Sequence, residues 1–311
     1  MNTAAKLAGF GLVMAAAFAA AAGLGSAVGP AATPAAPTAA HDGHSTTPAR
    51  SAMSDTTHEH TSSPAMPGMD HGAEASPGLA VAAAAYTLVP NTTMLPTGAS
   101  TFEFRILGPD GRPLTRYAPE HERDLHFIVV RRDLSGYQHL HPSLAADGTW
   151  SVPLKLPTAG TYKAFADFRP AGAAAGLTLA VDLFAPGDFQ PVPLPAPVPS
   201  ASVDGYTVTL AGALRAGQQS ELTFTLAKDG RPVTNLQPYL GAYGHLVVLR
   251  AGDLAYSHVH PEGSPGDGHT PAGPGVSFHA ELPTAGNYRL FLDFQIDGVV
   301  RTAAFTATAG A

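Results

Sequence analysis

Two copies of a His-x-His-Pro motif, His139–Pro142 and His258–Pro261, are the residues of this chain best suited to chemistry. On an extended strand, residues i and i+2 project to the same side, so the two imidazoles of each motif are neighbours. Imidazole nitrogens at that spacing can chelate one ion. The residue between them points the other way and can anchor the strand in a core.

A third histidine and an aspartate accompany each motif at matching positions. If the strand of the third histidine pairs with the His-x-His strand as a hairpin, all three imidazoles converge. We therefore predict two metal sites, each suited to Cu²⁺ or Zn²⁺. The aspartates are candidates either for ligands or for groups that fix a histidine tautomer. The predicted first site is His126, His139 and His141 with Asp167, and the second is His245, His258 and His260 with Asp293.

The alternative interpretation is that these histidines have only a structural role. The repeated histidines can descend from duplication of a domain in which they hydrogen-bond within a turn. The retention of three histidines and an aspartate where neighbours have changed favours the metal interpretation. Gln138, for example, corresponds to Ser257, and Trp150 to Val276.

The N-terminal segment offers a second group of candidate ligands. Residues 29–78 contain few large apolar side chains, so we expect this segment to be disordered. It carries Met66 and Met69 beside His71. Thioether and imidazole ligands together favour copper, with methionine selecting Cu(I). The alternative is a plain spacer in which these residues are incidental.

An internal repeat organises the rest of the chain. Asp110–Pro113 recurs as Asp229–Pro232, and Leu156–Gly160 recurs as Leu282–Gly286. The offset between copies changes from 119 to 126, which indicates an insertion in the loop that contains His269. Short alternating runs broken by Gly and Pro are typical of strands and turns.

The repeats predict an all-β chain of two tandem immunoglobulin-like β-sandwiches, residues 79–184 and 205–311, joined by a proline-rich linker at 185–204. In the strand near the end of the first repeat, Tyr162 lies on the predicted core face and Asp167 on the opposite, more accessible face. Tyr162 and Tyr288 are predicted to bond backbone, as the corner tyrosine of such folds does.

The first 28 residues predict a signal peptide or a membrane anchor. Lys6 precedes an Ala-rich apolar run of about 20 residues, long enough to span a bilayer as a helix. We therefore expect the rest of the chain to be extracytoplasmic, with membrane contact only through this segment.

Composition excludes several classes of function. The chain has no cysteine, which excludes disulfides, thiolate metal sites and blue-copper centres. Its net charge of −7, with no basic stripe, argues against nucleic acid as a partner. No nucleophile, phosphate-loop, zinc-protease or dinucleotide motif is present, so we do not expect an enzyme, although a metal-dependent one is a third alternative.

The block Leu125–Val130 through Tyr137–Pro142, with Phe165–Phe168, resembles exported actinobacterial proteins described as hypothetical secreted or heavy-metal-binding-domain proteins. More distantly, the export signal and the Met/His tract are similar in style to periplasmic copper-resistance and copper-carrier proteins. The expected function is extracytoplasmic binding of copper, or of zinc, for buffering, delivery or resistance. The alternative is a non-enzymatic module with structural histidines that binds a membrane or cell-surface protein or acts as a spacer.

Overall fold

The computed structural model describes residues 76–257 and 259–311, and this part of the chain is all-β. The described residues contain no helix, as the sequence predicted, and so none that is long and apolar enough to cross a membrane. The predicted signal or anchor, nearly all of the predicted disordered segment and His258 lie outside the described residues.

The first sandwich contains ten strands. They are β1 (Ala82–Ala83), β2 (Tyr86–Pro90), β3 (Gly98–Leu107), β4 (Tyr117–Ala118), β5 (Leu125–Arg131), β6 (Gln138–Leu140), β7 (Ser143–Leu144), β8 (Thr149–Leu156), β9 (Gly160–Pro170) and β10 (Leu177–Ala185). One sheet has the order β1-β2-β3-β8-β7, and the other has β10-β9-β5-β6 with β4 beside β9. Phe102 and Phe104 of the first sheet stack on Phe127 of the second, which shows that the two sheets face each other.

The second sandwich repeats this arrangement. Its strands are β11 (Ser200–Val203), β12 (Tyr206–Ala211), β13 (Gln219–Lys228), β14 (Arg231–Pro232), β15 (His245–Arg250), β16 (Tyr256–Ser257), β17 (Val259–Pro261), β18 (Gly275–Glu281), β19 (Gly286–Ile296) and β20 (Val299–Ala309). The sheets are β11-β12-β13-β18-β17, with β14 beside β13, and β16-β15-β19-β20. Strand β11 lies inside the segment predicted as linker, because a turn at Asp204–Gly205 folds it back onto β12.

The two-residue period of β9 sorts its side chains as the sequence predicted. Tyr162, Ala164 and Phe168 lie in the core of the first sandwich, whereas Phe165 points away from it. The hydroxyl of Tyr162 donates to the carbonyl of Thr158 at 2.8 Å, and Tyr288 makes the same bond in the second sandwich. Both predicted tyrosine corners are present.

The outer faces of the two central sheets pack against each other. Every residue of β5 is buried, because one of its faces covers the core of its own sandwich and the other meets the second repeat. We call the buried apolar residues of this contact the inter-sandwich cluster: Ile128, Val130, Leu134, Phe165, Ala180, Val247, Leu249, Leu254, Tyr256 and Phe291. The cluster holds the two outer faces, and the polar residues they carry, against each other.

The packing is reciprocal between the repeats. Tyr137 of the first sandwich reaches Asp293 of the second, and the equivalent Tyr256 reaches Asp167, both at 3.4 Å. Such matched contacts are expected when two similar domains meet through the same face. The face predicted to be accessible is therefore covered, and Asp293 is only 1 % exposed.

Candidate metal centre

Strands β5 and β6 form the hairpin that the convergence of the first three histidines requires. The pairs Phe127↔Leu140 and Ile128↔His139 set the register, which places His126 across from His141. Phe127 faces the core of the sandwich and Leu140 packs against it, so the three histidines share the outer face. One ligand nitrogen of each of the three lies within 4.8 Å of the others. We call these three residues the histidine triad.

A tight turn fixes the ring of His126 from outside. Glu120 and Arg123 bond each other through backbone groups, and the two residues between them, His121 and Glu122, have positive φ. This two-residue hairpin turn directs the carbonyl oxygen of Glu120 at Nε2 of His126, 2.9 Å away. A carbonyl oxygen can only accept, so Nε2 of His126 carries the proton and Nδ1 carries a lone pair.

The second sandwich fixes the ring of His139. Nδ1 of His139 lies 2.9 Å from Oδ2 of Asp293, and both side chains are 2 % exposed. The carboxylate accepts, so Nδ1 of His139 carries a proton. Thr302 donates to the other oxygen of Asp293, and Tyr137 donates to Oδ2. The aspartate is thus held by three donors from both sandwiches.

These two assignments leave two nitrogens facing each other. Nδ1 of His126 and Nε2 of His139 are 3.1 Å apart. With both rings neutral, each of these nitrogens presents a lone pair, and two lone pairs at this distance repel. A proton or a metal ion placed between them removes this repulsion. Two nitrogens bound to one metal ion at about 2.0–2.1 Å are separated by a similar distance when they occupy adjacent positions.

Burial keeps the neighbouring imidazoles neutral. Desolvation, followed by repulsion from a charged His139, lowers the pKa of His126 to about 3. The same two causes, with a smaller contribution from Arg123, lower the pKa of His141 to about 4. Burial also holds the pKa of His245 well below its ordinary value. Neutral imidazoles are the form that binds metal ions.

Two ring nitrogens of the cluster are buried without a hydrogen-bond partner, Nε2 of His141 and Nδ1 of His245. Buried polar atoms in native proteins are nearly always paired, so an orphaned nitrogen requires an explanation. His245 also belongs to a second group of potential ligands, with His139 and Asp293, whose ligand atoms again lie within 4.8 Å of one another. Both orphaned nitrogens therefore border groups able to hold an ion.

Comparison with protein families gives two matches to one family model, at residues 81–183 and 201–311, which together span well over half of the chain. The model is described as a domain of unknown function, DUF8832. The chain belongs to the DUF8832 family. Comparison with curated proteins gives no match.

Three of the solved structures with some likeness to this DUF8832 chain are those of invasin, of intimin and of the S-layer protein SbsC. The crystal structure of invasin, a bacterial integrin-binding protein, has a TM-score of 0.23 and 15 % identity over 74 % of this chain, which spans 41 % of the invasin chain. The D0–D1 domain of intimin gives 0.21 and 12 % over 72 % of this chain and 97 % of its own. Domains 4 and 5 of the S-layer protein SbsC give 0.22 and 12 % over 73 % and 98 %. Likeness at this level carries no argument about fold or function.

The predicted second site is not assembled from the described residues in the way the sequence suggested. His245 points to the triad of the other DUF8832 repeat, because the two outer faces pack together. His260 lies opposite His279 in the ladder between β17 and β18 and lines a separate cavity of about 630 Å³. His258, and with it Met66, Met69 and His71, lies outside the described residues.

The aspartates also exchange partners between repeats. Asp167 pairs with His126 in the strand register, but its side chain accepts from Thr178 and Tyr256. Asp293, predicted for the second site, contacts His139 of the first. The sequence prediction assumed that each repeat supplies its own carboxylate, whereas the two sandwiches supply each other's.

Two residues next to the triad were not predicted as part of it. The ring of His121 lies 6.0 Å from that of His126 and 5.6 Å from that of His245. The ring of Tyr137 stacks on Phe291 at 4.0 Å, and its hydroxyl contacts Asp293. The sequence signal for both residues was proximity to a triad histidine. His121 lies five residues before His126, and Tyr137 lies two residues before His139.

Proposed function

We propose that this DUF8832 chain is an extracytoplasmic protein that binds a divalent transition-metal ion, preferentially copper, between its two sandwiches. The histidine triad supplies the ligands, and Asp293 orients His139. The observation that carries the proposal is the pair of ring nitrogens, Nδ1 of His126 and Nε2 of His139, which lie 3.1 Å apart while the other nitrogen of each ring is held by an outer hydrogen bond.

The donor set supports copper or zinc. Imidazole and carboxylate groups suit Cu²⁺, Zn²⁺ and Ni²⁺, and Cu²⁺ binds most tightly of these to a given nitrogen site. Outer hydrogen bonds of the kind made by Glu120 and Asp293 are the usual support for metal-bound histidines. The Met66–His71 tract would bind copper ions weakly and pass them to the site between the sandwiches, which fits a role in buffering or delivery.

We also propose the immunoglobulin-like assignment for both sandwiches. The sheet orders β2-β3-β8-β7 and β10-β9-β5-β6 match the A-B-E-D and G-F-C order of such folds, with β6 as the additional edge strand. Both corner tyrosines support the assignment.

A spacer or adhesion module with structural histidines is the second candidate. The bonds of His126 to Glu120 and of His139 to Asp293 would then serve the fold, and a proton would lie between the two rings. This candidate requires that the purified protein binds no metal ion at this position. The two candidates thus differ in which cation occupies the gap.

Calorimetric titration with Cu²⁺ and Zn²⁺ separates them. The tract is silenced first, so that its weaker binding does not obscure the sandwich site. In this tract-silenced chain, every histidine of the N-terminal segment 29–78 is replaced by alanine, namely His41, His44, His58, His60 and His71. We expect it to bind Cu²⁺ tightly, and we expect His126→Ala and His141→Ala each to weaken this binding by about a hundredfold or more, beyond the roughly 10–100-fold typical of an outer-shell change.

The matched control is His269→Ala, since His269 is exposed in the inserted loop. It should leave the tight site intact. Tight binding that survives both triad variants, or no binding beyond that of the tract, contradicts the proposal. Circular dichroism of each variant establishes that it is folded.

A further inference from the structure

The two groups of potential ligands share one residue, His139. Its Nε2 faces Nδ1 of His126, and its Nδ1 faces Oδ2 of Asp293. The two nitrogens lie on opposite sides of the imidazole ring, so no single ion can bind both. The groups are therefore two separate positions, one on each side of this ring.

The second position has its own unexplained atom. Nδ1 of His245 is buried and has no hydrogen-bond partner, and the ring of His245 lies 4.7 Å from that of His139. The spacing of 2.9 Å between Nδ1 of His139 and Oδ2 of Asp293 also fits two adjacent ligands of one ion. One ligand atom each of His139, His245 and Asp293 lies within 4.8 Å of the others, and His245 carries a buried nitrogen without a hydrogen-bond partner.

We infer that His139 bridges two divalent metal ions as an imidazolate, the first held with His126 and His141 and the second with His245 and Asp293. This inference rests on the proposed function, because the first ion occupies the triad described above. When the second ion binds, Nδ1 of His139 loses its proton to solvent and forms a metal–nitrogen bond in its place. The imidazolate and the Asp293 carboxylate each contribute one negative charge that offsets the charge of the ions.

The second ion should bind more weakly than the first. It must displace the proton on Nδ1 of His139 that faces Oδ2 of Asp293, and it enters a buried site that already holds a cation. It also requires Asp293 to turn from a hydrogen-bond acceptor into a ligand while Thr302 still donates to its other oxygen. We therefore expect two resolved steps in a titration.

Electron paramagnetic resonance during a Cu²⁺ titration of the tract-silenced chain tests the bridge. The first equivalent should give the signal of an isolated Cu²⁺ ion. The second should reduce that signal, because two Cu²⁺ ions on one imidazolate lie about 6 Å apart with metal–nitrogen bonds of about 2.0 Å and couple through the ring. About one proton should be released with the second ion.

His245→Ala should bind one Cu²⁺ and keep the full isolated signal, while His269→Ala should still show the loss of signal. Asp293→Asn, which cannot supply the carboxylate charge, gives the same test if His245→Ala does not fold. A second equivalent that adds an independent signal, or that never binds while the first does, overturns the bridge and leaves the proposed function standing. No tight first equivalent overturns both.

Discussion

Acid should destabilise the metal-free protein through His126, and the size of the effect follows from its burial. His126 is 3 % exposed, and its pKa is lowered from 6.5 to about 3. Below pH 6.5 the unfolded chain binds a proton at this position that the folded chain does not. Stability contributed by the neutral ring is therefore fully present above pH 6.5 and is lost as the pH falls toward 3.

The expected slope is about 1.4 kcal/mol of unfolding free energy per pH unit, or about 3 kcal/mol between pH 6.5 and pH 4. His126→Gln should remove this component, because glutamine can still donate to the carbonyl of Glu120 but does not titrate. The measurement is urea unfolding of both proteins in a chelator across this range, followed by the fluorescence of Trp150. Only the difference in slope between the two proteins is attributed to His126.

Equal slopes for the two proteins would refute the reasoning. That result would mean either that the folded protein accepts a proton on His126 at little cost or that the site opens to water. His141 has the same sign of effect, since its pKa is also lowered, and it remains in both proteins. It therefore cancels in the comparison.

Three further outcomes are expected. Asp293→Asn should weaken Cu²⁺ binding by about 10–100-fold in calorimetry, as loss of an orienting carboxylate does, whereas the exposed Asp147→Asn should not; equal affinities would exclude the orienting role. Phe165→Ala should lower the free energy of unfolding by about 3–5 kcal/mol, because it empties the centre of the inter-sandwich cluster, and a loss below about 1 kcal/mol would show that the outer faces do not pack as described. Tyr162→Phe should cost about 1 kcal/mol in the same assay through the lost bond to Thr158, and no change would argue against the corner.

The sequence was sufficient to predict what depends on local periodicity. The alternation of Tyr162 and Phe165 between faces follows from the two-residue period of strands. The shared outer face of the triad follows from the same period once β5 and β6 pair as a hairpin, which the sequence analysis took as a condition. The repeat itself predicted two sandwiches because the same turn and core positions recur. These are features within one repeat.

What the sequence did not predict is the contact between the repeats. The continuous apolar run Phe127–Val130 indicated a strand covered on both faces, but it did not identify the second repeat as the cover. For that reason the prediction placed Asp293 with His245 but missed its contact with His139, and it grouped His245 with His260. Contacts between residues more than 100 positions apart, such as that of His139 with Asp293, leave no periodic signal in a single sequence.

The central claim is that a metal ion fills the gap between the rings of His126 and His139. Anomalous diffraction from crystals of the chain grown with Cu²⁺, collected at the copper edge, measures this directly. We predict a peak at about 2.0–2.1 Å from both Nδ1 of His126 and Nε2 of His139. Copper-bound crystals with no peak there, and with the two nitrogens still about 3 Å apart across a proton, would contradict the account.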